Sequence, residues 1–431
     1  MDSSNTSDRE GRGASVGYVE LLRRNRDFRL VWLGQVVSQL GDWFNTIALY
    51  ALVLDLTGSS GRAVGLVLVA RFLPSVVLSP LAGAAADRFS RRAVMIWSDL
   101  LRALVVLGFL LVRRPEDLWL VYTLTVMQLA LSTFFEPART AVIPSIVSRR
   151  ELIPANAISA VTWSAMLTLG AAVGGEVTAW FGARAAFVLD SLTYLLSAAL
   201  IACVRLPPRA PRERRRPTLA RALGLADTLE GFRYVWRRPR VFALMMVKPA
   251  WGIGGGILAL LAVFGERVFP VGGSTARGIS ILYAARGIGT AIGPFVARRL
   301  AGETRAPMER AIGLSFLVGG LFYVGFGVST SFGLALFLVA AAHAGGSVLW
   351  MYSTVLLQQT VEDDYRGRVF AAELMLFTLT MAASNYFTGE ALDRFHYSPR
   401  AVTAAIGLFF CLPGLLWLLT RRWRDKEPRG A

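Results

Sequence analysis

Long apolar stretches alternate with short polar segments along the whole chain. Twelve of these stretches come close to the roughly 20 residues that an α-helix needs to cross the hydrocarbon core of a bilayer. In the first half of the chain they are residues 30–54, 63–85, 93–112, 118–138, 154–180 and 185–204. In the second half they are residues 241–265, 276–297, 311–329, 332–357, 369–391 and 401–420. The pattern predicts an all-α polytopic membrane protein with twelve transmembrane helices in two six-helix bundles.

The longest polar segment inside the chain separates the two sets of spans. It covers residues 205–240 and is rich in arginine and proline. The predicted units are therefore an amino-terminal bundle with its tail (1–204), a basic cytoplasmic linker (205–240) and a carboxy-terminal bundle with its tail (241–431). Within the linker, residues 219–236 show helical periodicity, which fits either an amphipathic helix on the membrane surface or a solvated connector.

The two halves of the chain match each other at a nearly constant offset. Arg62 and Arg71 correspond to Arg277 and Arg286 at an offset of 215 residues. Two further stretches match at offsets of 214 and 213 residues. Such constancy indicates an internal repeat, and we expect the two bundles to be related by a pseudo-twofold axis along the membrane normal.

Composition and charge support a membrane protein and indicate its orientation. The chain is 54% apolar and only 17% charged, whereas a soluble domain is about a quarter charged. The net charge of +17 resides mainly between the spans, so it does not indicate a nucleic-acid partner. When the spans are threaded through a bilayer, the basic clusters at 23–29, 88–92, 205–240 and 421–429 fall on one side. By the positive-inside rule, both termini are expected in the cytoplasm of a bacterial cell, with the chain in its inner membrane.

Three short segments carry a resemblance to a known family. Residues 83–92, between the second and third spans, are similar to the major facilitator superfamily signature G-x-x-x-D-R-x-G-R-R, with Ser90 in place of the second glycine. Residues 170–175 in the fifth span resemble an antiporter motif, with Ala171 where the motif has proline. Residues 134–157 are similar to the exporter branch for drugs, macrolides and siderophores such as enterobactin. The resemblance implies a two-bundle transporter and names no substrate.

In this family the loop signature acts as a latch between the two halves. The resemblance carries that role over to Gly83, Asp87, Arg88, Arg91, Arg92 and Glu136. Small residues at 83–86 let two helices approach closely, and Asp87 suits the positive end of a helix dipole. Arg91 is expected to reach both Asp87 and Glu136. The alternative is an ordinary basic loop, which does not need an acid among its arginines.

Charged residues inside the spans need a partner or a function, because each costs about 2.5–3.5 kcal/mol to insert. Asp99 and Arg102 lie three residues apart on one helix face, and we expect them to form a structural pair. Glu373 lies one turn inside the membrane and is expected to face the cytoplasmic contact between the halves.

Arg71 and Arg286 occupy equivalent positions of the repeat. Both are expected to line the substrate cavity from the second and eighth spans and to attract anionic groups. Glu176 in the fifth span is a further candidate for that cavity. Alternatively, each arginine extends to the membrane surface or pairs locally with Glu176 or Asp190.

Asp42 is the candidate for proton coupling. It lies near the middle of the first span, which lines the central cavity in the fold that the resemblance implies. A carboxyl group removed from water there favours the protonated form and could carry a proton in each cycle. The alternative is a structural hydrogen bond to Gln39 or Asn45.

Lys248 is the other candidate for the cavity. Lys248 and Lys426 are the two lysines of a chain with 46 Lys and Arg residues. An ammonium group can lose its proton when buried, whereas a guanidinium cannot. Pro249 and a run of glycines follow Lys248, so the seventh span is expected to kink or unwind beside it. We expect Lys248 to pair with Asp42 or to hold an anionic substrate; the alternative is a lysine that extends to the lipid headgroups.

No constellation typical of an enzyme or a metal site is found in the sequence. The two histidines, His343 and His396, have no Cys, His or carboxylate at ligand spacing, and no phosphate-binding loop is present. No cofactor is expected. The sequence predicts a monomeric secondary transporter that uses protons to export an amphipathic small molecule, in contact with membrane lipids. The alternatives are a flippase for lipids or lysophospholipids on the same fold, and a membrane receptor that does not transport.

Overall fold

In the computed structural model of the chain, residues 17–148, 150–206, 233–302 and 304–420 are described. Within these ranges the chain is almost entirely helical and has no β-strand. The helices of the first half are α1 (Tyr18–Arg24), α2 (Arg26–Thr57), α3 (Gly61–Arg88), α4 (Arg91–Gly108), α5 (Leu118–Ile146), α6 (Leu152–Ala165) and α7 (Ala171–Ala202). Those of the second half are α8 (Pro239–Met245), α9 (Val247–Gly252), α10 (Ile257–Val263), α11 (Thr275–Ala301), α12 (Arg305–Val328), α13 (Phe332–Thr360), α14 (Asp363–Asp393) and α15 (Pro399–Leu419).

Ten helical segments of the described residues are long and apolar enough to cross a membrane. One of them, Pro154–Ala202, runs for 49 residues and contains Gly182, whose positive φ of 80° breaks α7 into two helices. α2 is 32 residues long and carries polar residues such as Asp42 and Asn45 in its middle, which lowers its hydropathy. The fold is therefore all-α and polytopic. The count of twelve spans, which requires a division at Gly182 and the inclusion of α2, stays a prediction.

The helices begin and end close to the predicted span boundaries but extend beyond several of them. α5 continues to Ile146 and α14 begins at Asp363, because a helix does not have to end where the hydrocarbon core ends. Ser60 and Ser398 cap the first turns of α3 and α15: their hydroxyl oxygens accept hydrogen bonds from the backbone N–H of Ala63 and Ala401, at 3.0 and 3.2 Å.

The seventh predicted span is interrupted. It consists of α8, α9, a 3-10 turn at Ile253–Gly256, α10 and a π-turn at Phe264–Val268. The glycines of the 3-10 turn allow close packing, since a Cβ atom on Gly256 would lie 1.9 Å from Oγ1 of Thr388 on α14. The expected change in helix geometry after Pro249 is therefore a tightened turn, without an unwound segment.

Among the described residues, two helix pairs form the most extensive contacts between the halves. α3 packs against α14, and α7 packs against α11. Glycines let the backbones approach: a Cβ atom on Gly65 would lie 2.6 Å from the carbonyl oxygen of Asn385, and one on Gly175 would lie 2.0 Å from Oγ of Ser280. Residues 207–232 of the predicted linker lie outside the described residues, so the amphipathic helix predicted at 219–236 stays a prediction. Trp236, the last residue of that predicted helix, is 77% exposed.

Candidate functional site

A cluster of charged side chains lies inside the amino-terminal bundle. The hydroxyl of Tyr194 on α7 donates a hydrogen bond to the carboxylate of Asp42 on α2. On α4, Asp99 and Arg102 form an ion pair, and both side chains are buried. The guanidinium of Arg102 lies 4.3 Å from the ring centroid of Tyr194, so Tyr194 connects the Asp42 carboxylate to the Asp99–Arg102 pair.

A third carboxyl group belongs to this cluster. Asp190 lies one turn before Tyr194 on α7 and is fully buried. Its Oδ1 accepts a hydrogen bond from the hydroxyl of Thr193 at 3.4 Å, whereas its Oδ2 has no partner among the described residues. A Cβ atom on Gly41 would lie 2.4 Å from Asp190 Oδ1, which places this acid against the α2 backbone beside Asp42.

We call Asp42, Asp99, Arg102, Asp190 and Tyr194 the acid cluster. It brings three carboxyl groups and one guanidinium together in the bundle interior. The sequence indicated Asp42 but suggested Gln39 or Asn45 as its hydrogen-bond partner. In the structure neither forms that bond, and the partner is Tyr194. The i, i+4 spacing of Asp190 and Tyr194 was the available signal, since it places both side chains on one face of α7.

Lys248 lies in the second half, away from the acid cluster. Its ammonium Nζ lies 2.7 Å from Oε2 of Glu373 on α14, and the side chains are 6% and 2% exposed. The ring centroid of Trp350 lies 4.7 Å from Nζ. The expected pairing of Lys248 with Asp42 is wrong, because each residue has a partner within its own half. Glu373 likewise does not face the contact between halves; it is buried against Lys248.

Arg71 and Arg286 form no ion pair with any carboxylate of the described residues. Their alternative partners are taken, since Glu176 binds another arginine and Asp190 lies in the acid cluster. The guanidinium carbon of Arg286 lies 5.8 Å from the ring centroid of Tyr283, and its buried Nε has no hydrogen-bond partner in the described part of the chain.

Glu176 joins the two halves. Its carboxylate accepts hydrogen bonds from Nε and Nη2 of Arg277 on α11, at 3.2 and 3.1 Å. A second ion pair, between Arg62 on α3 and Glu390 on α14, has a distance of 2.8 Å. Arg62 and Arg277 occupy equivalent positions of the predicted repeat, and each forms an ion pair with a glutamate of the other half. The position of Glu176 in the lining of the substrate cavity stays a prediction.

Further polar contacts join the halves at the same end of the helices. The carboxylate of Asp393 accepts hydrogen bonds from the backbone N–H groups of Gly61 and Arg62 at the start of α3, at 3.1 and 2.9 Å. Ser59 donates a hydrogen bond of 2.5 Å to Glu266. In the predicted topology this is the outer end. We call the Arg62–Glu390 and Arg277–Glu176 pairs the outer ion pairs.

The loop signature is described only in part. The surroundings of Gly83 and the side chains of Asp87 and Arg88 lie outside what the structure describes, so the predicted contact of Asp87 with Arg91 has no structural account. Within the described part, Arg91 donates a hydrogen bond of 2.5 Å to the carbonyl oxygen of Ala141.

The other two members of the predicted latch have partners within the first half. Arg92 donates a hydrogen bond to the carbonyl oxygen of Ala202. Glu136 binds Arg139 of its own helix at 2.5 Å, and Arg139 also donates a 2.9 Å hydrogen bond to Gln35. The observed ion pair of Glu136 is therefore with Arg139, where the sequence predicted Arg91.

Two apolar cavities lie along the carboxy-terminal bundle. One, of about 610 Å³, is lined by residues of α14 and α15 such as Phe387 and Phe409. The other, of about 650 Å³, lies between α8 and α15 and includes Phe242 and Trp417. In the described ranges no group of three or more His, Cys, Asp or Glu could hold a metal ion.

Comparison with known proteins agrees with this architecture. The family model of the Major Facilitator Superfamily matches residues 31–375. An uncharacterized MFS-type transporter of Bacillus subtilis, YfiS, is 26% identical over 362 residues, which cover 82% of this chain and 83% of the relative. Macrolide efflux protein A of Streptococcus pyogenes is 25% identical over 85% of this chain and 89% of its own length. The crystal structure of a bacterial homolog of the human lysosomal transporter Spinster superposes with a TM-score of 0.74, at 16% identity, over 95% of this chain and all of that chain. The family match covers most of the chain, and this chain therefore belongs to the major facilitator superfamily of membrane transporters.

Proposed function

We propose that this transporter exports an amphipathic small molecule of the drug, macrolide or siderophore type, and that proton uptake drives the export by alternating access. The observation that carries the proton-coupled part is the acid cluster. Three carboxyl groups share one guanidinium in the bundle interior, where charge is poorly solvated. Like charges that close cannot all ionise in such surroundings, so the cluster is expected to hold at least one proton.

Asp42 is the residue through which the proton would enter. It is partly buried, whereas Asp99 and Asp190 are fully buried, so it is the carboxyl group that water reaches most easily. Its hydrogen bond with Tyr194 connects it to Arg102. A change in the charge of Asp42 would therefore be felt on α4 and α7, which pack against each other in the amino-terminal bundle.

The outer ion pairs support alternating access. They relate the two halves symmetrically, and they would have to break when the transporter opens outward. The latch that the family resemblance assigns to Asp87 and Arg91 would act at the opposite end in the outward-open state. The proposal also places both termini on the cytoplasmic side of the inner membrane. Reporter fusions after Thr420 and within 207–217 test this orientation, and only a cytoplasmic reporter should be active at either place.

Efflux of a small molecule is supported by the relatives. One of them is named macrolide efflux protein A and matches most of the chain at 25% identity. A flippase for lipids is a second candidate, because the two apolar cavities of about 610 and 650 Å³ are large enough to hold part of an acyl chain.

A transport experiment tests the main proposal. The purified protein in proteoliposomes would first be screened by thermal shift against macrolides, siderophores and lysophospholipids, and uptake of the strongest radiolabelled stabiliser would then be driven by a pH gradient. Asp42→Asn should abolish accumulation and leave counterflow exchange intact, whereas Glu116→Gln, a change in an exposed outer loop, should change neither. Accumulation of the compound by Asp42→Asn at the wild-type level would remove Asp42 from the mechanism, and stabilisation by lysophospholipids alone would favour the flippase.

A further inference from the structure

Two arginines that form no ion pair with a described carboxylate lie well inside their predicted membrane spans. Arg71 follows the start of α3 by ten residues and Arg286 follows the start of α11 by eleven, at the end where the outer ion pairs lie. At 1.5 Å per residue, both lie about 15 Å below that end, half the thickness of a hydrocarbon core of about 30 Å. Neither is therefore placed to reach the headgroups easily.

The two arginines belong to one site. They are equivalent in the repeat, and both of their helices take part in the contact between the halves, α3 against α14 and α11 against α7. The hydroxyl of Tyr283 is within electrostatic reach of both guanidinium groups. We call Arg71, Arg286 and Tyr283, together with Tyr50, the two-arginine site.

Aromatic side chains close the site toward the outer end. The ring centroid of Tyr283 lies 5.8 Å from that of Tyr50 and 6.0 Å from that of Trp43. These ring contacts join the second half of the chain to the first. Tyr50 and Tyr283 are each 2% exposed, whereas Arg71 and Arg286 are partly exposed. The guanidinium groups are thus accessible while the tyrosines above them are not.

No carboxylate of the described residues forms an ion pair with Arg71 or Arg286 to balance the charge of the site. The guanidinium carbon of Arg286 lies 5.8 Å from the ring centroid of Tyr283, and its buried Nε has no hydrogen-bond partner in the described part of the chain. A cation inside a membrane span is unfavourable without a counter-ion, so two such cations at equivalent positions of the repeat indicate an anionic ligand. Guanidinium groups bind carboxylate, phosphate and sulfonate oxygens through paired hydrogen bonds, and the rings provide an apolar wall.

We propose that the two-arginine site binds the anionic group of the transported molecule, so that the substrate is an amphipathic anion. This inference deepens the proposed function: that the bound anion is transported rests on the proposed function, whereas the binding of an anion at this site does not. The apolar part of the molecule would lie against Trp43 and Tyr283, and the anionic oxygens would lie between Arg71 and Arg286.

A matched pair of fluorescent probes tests the proposal. The probe 8-anilinonaphthalene-1-sulfonate is an amphipathic anion, and N-phenyl-1-naphthylamine has the same rings without the sulfonate. Binding of each would be measured to the protein in nanodiscs of zwitterionic lipid, with empty nanodiscs subtracted. Arg71→Gln and Arg286→Gln should each lower the affinity for the sulfonate probe by at least tenfold, because one charge-assisted hydrogen bond is lost. The affinity for the neutral probe should change by less than twofold. Arg184→Gln, at an exposed arginine of α7, is the control and should change neither.

Several results would overturn the proposal. One is sulfonate binding that is unchanged in both glutamine variants; another is an equal loss for both probes, which would indicate a change in cavity shape. If the glutamine variants do not fold, wild-type binding decides: benzenesulfonate should displace the sulfonate probe and benzenesulfonamide should not, and equal displacement by both refutes an anion site. Loss of the sulfonate preference when a tenth of the lipid is anionic would assign the site to a lipid phosphate instead. Because binding is measured without transport, a failed transport assay would leave this result standing.

Discussion

The buried ion pair of Lys248 and Glu373 offers a quantitative test of the structure. The two charged atoms are 2.7 Å apart, the side chains are 6% and 2% exposed, and the Trp350 ring covers the ammonium. Replacement of one partner leaves the other charge buried without compensation, which costs about 3–5 kcal/mol in other buried pairs. We therefore expect Lys248→Met and Glu373→Gln each to lower the free energy of unfolding by about 3 kcal/mol or more.

The double variant separates charge compensation from packing. Lys248→Met combined with Glu373→Gln removes both charges and should recover most of the lost stability, because a well-packed neutral pair is often as stable as a buried ion pair. The pair of Arg366 with Asp363 is the control, since its side chains are 42% and 84% exposed and such pairs contribute at most about 1 kcal/mol. The measurement is reversible unfolding in mixed micelles for the four members of the double-mutant cycle.

The cycle can contradict this reasoning in two ways. If Glu373→Gln costs no more than Asp363→Asn, the buried position of the pair is wrong. If the double variant is as unstable as the single variants together, the two residues do not interact. Transport by Lys248→Arg is a separate readout: full activity would show that a positive charge suffices at this position and that loss of a proton from Lys248 has no role.

Three further predictions concern other parts of the molecule. Loss of both outer ion pairs, in Arg62→Gln combined with Arg277→Gln, should increase outside labelling of a cysteine at the outer end by about three- to thirtyfold, since each pair has at least one partly exposed partner and is worth up to roughly 1 kcal/mol; unchanged labelling would show that these pairs do not hold the outer end closed. Asp87→Asn should leave expression intact and reduce transport, because the latch is electrostatic, and transport at the wild-type rate would make Asp87 an ordinary loop charge. Gly289→Ala should lower stability by about 1–3 kcal/mol, because its Cβ would lie 1.9 Å from the Ala340 carbonyl oxygen, whereas Gly367→Ala meets no atom within 4 Å and should be neutral or stabilising in a thermal-unfolding assay.

The sequence by itself determined the class of the fold. Long apolar stretches have one stable arrangement in lipid, because every backbone N–H and C=O must be bonded within its own segment, and this requirement makes helices readable from hydropathy alone. The helix bounds agree for that reason: the span predicted at 63–85 lies inside α3, and the one at 401–420 corresponds to α15. The sequence also predicts an internal repeat, because Arg62 and Arg71 in the first half have the same spacing as Arg277 and Arg286 in the second.

Only the tertiary structure decided which charged side chains meet. Lys248 and Asp42 were both correctly recognised as charges inside predicted spans, yet Lys248 binds Glu373, 125 positions away, and Asp42 binds Tyr194, 152 positions away. Hydropathy gives the depth of a residue in the membrane but not the rotation of its helix or the neighbour that it faces. Those depend on how small residues such as Gly41 and Gly256 let particular helices pack, and packing is a property of the whole bundle. Partners of buried charges therefore follow from the assembled helices, whereas the helices themselves follow from the sequence.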